Sequence, residues 1–108
     1  MAGFVLAPKK QFEVQVTGTD DAGKEATITF FVRRPRAKDA SVFPMTEGET
    51  RDPIEVLSAF VVGWRGVTDE NGDEIPFNKD NLGLLPLDIL NRLLEKIAEL
   101  FRLPIRVD

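Results

Sequence analysis

Four carboxylates within six residues, Asp69, Glu70, Asp73 and Glu74, form the densest group of reactive side chains in the chain. Clustered acids suit cation binding or proton transfer, and each use has a requirement that can be checked. A calcium loop of the EF-hand type starting at Asp69 needs glycine at its sixth position and glutamate at its twelfth. Those positions hold Glu74 and Asp80. A general acid needs burial or an enforced like-charge neighbour in a cleft to raise its pKa, and the polar run around Asn71-Gly72 provides neither. Cysteine, histidine and tyrosine are all missing from the 108 residues, which removes thiolate and imidazole nucleophiles and the ordinary zinc sites. Neither GxGxxG nor GxxxxGK[ST] occurs. The reading is therefore non-enzymatic, with no catalytic, cofactor-binding or metal-ligating residue and no cofactor.

A second charged group, Arg33, Arg34, Arg36 and Lys38, has Asp39 alongside and no interleaved aromatics. With a net charge of −4, the chain lacks the concentrated positive footprint that duplex binding rests on. A solvated strand end is the better account, and no nucleic-acid partner is expected. No stretch approaches the run of ~20 apolar residues that spans a bilayer. Met1–Lys10 has too short an apolar run, with its lysines on the wrong side, for a signal peptide. A soluble protein working where it is made is expected, with no membrane partner.

The elements that would position these residues form one domain of the α+β class. Residues 1–10 read as a loose lead-in, with Phe4, Val5 and Leu6 available as a third strand at a sheet edge. From Gln11 to Thr17, Phe12, Val14 and Val16 alternate with polar residues, and from Glu25 to Arg33 so do Ala26, Ile28, Phe30 and Val32. Two such runs around GTDDAGK predict an antiparallel hairpin over 11–33. Phe31 breaks the polar face, as an incidental exposed aromatic, a lead-in contact or a partner contact. Residues 34–51 have no steady period and read as a flexible connector whose apolar tip, Phe43 and Met45, flanks Pro44.

Asp52-Pro53 with Glu55 is a helix start. The apolar run that follows leaves only Glu55, Ser58 and Arg65 as a polar stripe, which predicts a central buried helix over 52–65. Residues 66–77 read as an acidic turn, with Asn71-Gly72 as a tight type I′ hairpin. Asn78 caps a helical turn over Lys79–Leu85, and Pro86 opens a C-terminal amphipathic helix ending near Pro104, so 78–103 is helical. Leu87, Leu90, Leu94, Ile97 and Phe101 make its apolar stripe, widened by Leu93 and Leu100. Ile89 stands just off it, and if exposed would mark an interface.

The run Val62–Leu85, VGWRGVTDENGDEIPFNKDNLGLL, resembles a pattern of the small tail assembly chaperones of tailed bacteriophages. Trp64-Arg65-Gly66-Val67 matches a Trp-x-Gly-Val step, Asp69–Asp73 an acidic turn with Gly72, and Ile75-Pro76-Phe77 an apolar–Pro–Phe step. Asn78–Asn81 and Leu82–Leu85 match the short helix and leucine-rich segment beyond it. With the hairpin and connector, the likeness covers about 80 residues. It implies a non-catalytic protein of the bacterial host cytoplasm that coats the apolar tape measure protein and helps recruit tail tube protein. Such chaperones are absent from the finished virion, and some also have a frameshifted longer product. Trp64, Val67, Ile75 and Phe77 would pack the acidic turn onto the central helix, with Gly66 and Gly72 as backbone positions needing room or positive φ. Phe43, Met45, Ile89, Leu93 and Leu100 are the candidate partner-binding residues. A weak homo-oligomer is compatible with this reading. A structural tail subunit or a general interaction module is the alternative, and a carboxylate- or metal-dependent enzyme a more distant one.

Overall fold

In the computed structural model residues 3–36 and 53–101 are described. Most of the connector, with Phe43 and Met45, the Asp52 cap and everything after Phe101 lie outside them. The described residues form an α+β fold. Three antiparallel strands in the order β1-β2-β3 are covered on one face by helices.

The hairpin follows its alternation. β1, Gln11–Thr19, and β2, Glu25–Arg33, pair with Val14 opposite Phe30 and Val16 opposite Ile28. Val14, Val16, Phe30 and Val32 are buried on the helix-facing side. On the other side the Thr17 and Thr27 hydroxyls meet at 2.8 Å. Phe31 is half-buried there, opposite Gly63, with the Arg65 guanidinium 5.5 Å from its ring centre. That accounts for the aromatic without a partner.

The expected helix over 52–65 is corrected in its second half. α1 is Pro53–Phe60, and Val61–Arg65 is instead β3, an edge strand paired to β2. Two β-branched valines and a glycine, Val61, Val62 and Gly63, weaken the helix where it stops. Continuing it would also leave the outward backbone groups of β2 unpaired. The pairing runs Phe30 to Trp64, Phe31 to Gly63 and Val32 to Val61, so Val62 is the extra residue of a bulge. The exposed Arg65 belongs to the polar side of a strand and not to a helical stripe. Arg33 secures the changeover. Its Nε donates to the Ala59 carbonyl at 2.8 Å, and its guanidinium lies 5.1 Å from the Phe60 ring centre. A cation at a helix C-terminus is favourable.

α2, Lys79–Leu82, is shorter than the expected Lys79–Leu85, and α3 is Leu87–Phe101. Ile89, Leu90, Leu93 and Ile97 are buried against the sheet and α1. Ile89 and Leu93, candidate partner residues from the sequence, are therefore core residues. The cause is the reach of β1 along the helix, which widens the covered stripe toward Ile89. Ile89 packs on Gly18, where a Cβ would require the Ile89 Cδ1 end to shift. Leu87, expected within the stripe, is exposed because the helix overshoots the sheet at that end. Arg92 Nη1 and Lys96 Nζ donate to the Thr17 and Gln15 carbonyls at 2.5 and 2.6 Å, so the two basic residues of α3 cover part of the open β1 edge.

The lead-in does not join the sheet. The Lys10 N–H closes a turn on the Ala7 carbonyl at 3.0 Å, and Arg36 Nη2 reaches that carbonyl at 3.4 Å. Phe4, Val5 and Leu6 before it are 79 %, 84 % and 69 % exposed.

Candidate functional site

The residues of the Trp64 motif come together as one clasp. Strand alternation turns the Trp64 side chain inward beside Phe30, with ring centres 6.3 Å apart at 69°. From there its Nε1–H donates to the Ile75 carbonyl at 2.8 Å, and Phe77 meets its ring edge-on at 5.2 Å and 83°. Val67, Ile75 and Phe77 are half-buried against the core. The acidic turn is thus held on the sheet through β3, and not on a continuing helix. Gly66 makes the exit from β3 at φ +92°, and a Cβ there would sit 3.1 Å from the Thr27 carbonyl.

The turn itself differs from the expected two-residue type I′ connection. Ile75 N–H donates to Val67 at 2.9 Å, Asp69 N–H to Asp73 at 2.9 Å, and Gly72 N–H to Asp69 at 3.1 Å. That is a three-residue loop ending in a left-handed glycine, Gly72 at φ +84°. Asp69 selects it, because its Oδ1 accepts from the Asn71 and Asp73 N–H groups at 2.9 and 3.0 Å. The β1–β2 connection is built the same way. Asp20 Oδ1 accepts from Ala22 and Lys24 at 3.0 and 2.9 Å, and Gly23 has φ +79°. The shared pattern is Thr-Asp-acid-x-Gly-x-Glu at 19–25 and 68–74, the signal in the sequence that points to both loops.

Beyond the clasp the chain is fixed to α2. Asn78 caps it, accepting from Asn81 N–H at 2.7 Å, while Asn81 Nδ2 donates to the Pro76 carbonyl at 2.8 Å. Leu82 is fully buried. Leu84 and Leu87, between α2 and α3, are 75 % and 64 % exposed, and sequence reasoning did not single them out as surface. Glu70, Asp73 and Glu74 face solvent. Among the described residues no group of three or more acidic side chains is placed to hold a metal ion, and no helix is long and apolar enough to cross a membrane. Leu100 is 47 % exposed and lines a separate open groove of about 580 Å3 with Glu13, Val14, Gln15, Lys96 and Glu99.

No protein-family model matches this chain, and no curated protein or solved structure matches it either.

Proposed function

We propose that this chain is a non-catalytic tail assembly chaperone, which holds apolar helical segments of a phage tape measure protein and aids recruitment of tail tube subunits. One observation supports the reading above others. In the run that carries the resemblance, Val62–Leu85, Ile75 and Phe77 are clasped to Trp64 and Leu82 is buried, while Leu84 near its far border stands in solvent. Leu84 and Leu87, three residues apart, offer two large exposed apolar side chains, with Asp88 next in the sequence and Asp80 four residues before. Such a surface suits an amphipathic helix that lays its apolar stripe against leucines. The work is done in the host cytoplasm, before the virion is complete.

The test is co-expression with fragments of the tape measure protein encoded beside it. The chaperone reading requires that a fragment insoluble alone becomes soluble and co-elutes with this chain on a sizing column. A fragment that stays in the pellet, with no complex formed, overturns it. A very long reading frame downstream and a tail tube gene upstream are the genomic setting the reading requires.

A further inference from the structure

We infer that this chain self-associates by strand exchange, the Phe4–Leu6 segment of one copy adding to the open β1 edge of a second copy, in the groove closed by Leu100. This goes beyond the chaperone reading and does not depend on it.

The acceptor follows from the register. The Gln15 and Thr17 carbonyls accept from α3, so they point away from β2. In an antiparallel pair alternate residues turn both backbone groups the same way, which places the N–H and C=O of Gln11 and Glu13 on that open side too. Among the described residues those groups have no partner. α3 shields the edge at Gln15 and Thr17 but leaves it bare at Gln11 and Glu13, and the groove runs from Glu13 to Gln15, beside the shielded part. Val14 and Leu100 give it apolar walls, while Glu13 and Glu99 give it an acidic rim. Glu13 also meets Arg65, at 4.0 Å. Lys96, held on the Gln15 carbonyl, keeps its positive charge in the same lining, so the net excess there is one acid.

The donor is complementary in shape and charge. Phe4, Val5 and Leu6 are consecutive, rich in strand-forming residues and the most exposed apolar run among the described residues. Lys9 and Lys10 follow, opposite in sign to Glu13 and Glu99. The chain's own segment is poorly set to fill its own groove. Pro8 stands second in the turn Ala7–Lys10, where it fixes φ for a type I or II turn that splays hairpin strands. Arg36 draws the Ala7 carbonyl toward the end of β2. Donor and acceptor both lie at the start of β1, so a two-fold axis there lets each copy fill the other's groove and closes the assembly as a dimer.

Analytical ultracentrifugation of the full chain over a dilution series tests this. Val5→Asp disables the donor and Leu100→Asp the acceptor. Both positions are exposed, and circular dichroism checks that each variant stays folded. Each substitution should weaken dimerisation about tenfold or more. An equimolar mixture of the two should associate more tightly than either alone, since one intact contact is restored. A fluorescent peptide of residues 3–10 should bind the Val5→Asp protein, more weakly as salt rises, and lose binding about tenfold when Leu100→Asp is added. A wild-type chain that stays monomeric at every concentration overturns the inference, including by seating its own segment. So does a dimer indifferent to both substitutions, or a mixture no tighter than its components.

Discussion

Replacing Trp64 by phenylalanine removes one N–H and part of one ring, and the structure sets what that should cost. The Nε1–H to Ile75 bond is 2.8 Å long and partly buried. Its loss strands a carbonyl, which costs about 1–3 kcal/mol. The smaller ring also retreats from the Phe77 edge at 5.2 Å and the Phe30 edge at 6.3 Å, and such aromatic pairs are worth about 0.5–1.5 kcal/mol each. Retaining part of both contacts, Trp64→Phe should lose about 2–3 kcal/mol. Trp64 is the single tryptophan, so urea unfolding must be followed by far-ultraviolet circular dichroism and not by fluorescence. A local readout separates the clasp from general core damage. Amide exchange at Asp69, Gly72 and Ile75, whose N–H groups close the turn, should accelerate more than exchange in β1 and β2. A loss below about 0.5 kcal/mol, within the range of ordinary surface substitutions, or uniform acceleration across the sheet, would refute the clasp as the device that holds the turn.

Four further outcomes are expected. Gly66→Ala meets both a positive φ and the Thr27 carbonyl, and should lower stability by about 1–3 kcal/mol in the same urea assay. Gly18→Ala makes the Ile89 Cδ1 end shift and should cost about 1 kcal/mol or less; adding Ile89→Val, which removes that Cδ1, should abolish the Gly18→Ala effect in thermal melts. Arg33→Met keeps an apolar stem over Phe60 but removes the donor to Ala59, and should cost about 1–2 kcal/mol by chemical denaturation. Leu87→Asp should leave stability within about 0.5 kcal/mol, yet reduce recovery of a soluble tape measure fragment in co-expression.

The strands of the hairpin were legible because a half-buried sheet writes period two into Phe12, Val14 and Val16 and again into Ile28, Phe30 and Val32. α3 was legible for the same kind of reason at period 3.6. The end of α1 was not, since Ala59 to Trp64 is apolar throughout and an unbroken apolar run has no periodicity to read. What decided it was a backbone edge on β2, a feature no local window contains. Ile89 and Leu93 were misassigned because the width of a buried stripe depends on what lies across it. Arg33, Arg92 and Lys96 read as ordinary surface charge, whereas each donates to a main-chain carbonyl far away in the chain. The Trp64 motif was readable as residues, but its support passes through a strand and not through the helix the sequence suggested.

The direct passage from Phe60 into Val61 has a mechanical consequence. With no spacer between helix and strand, a turn of α1 about its axis must be transmitted as a slide or twist of β3 along β2. Since Trp64 sits on that strand, the acidic loop would be carried with it. Whatever grips α1 would thus move the loop beyond β3, and one glycine inserted after Phe60 should uncouple the two.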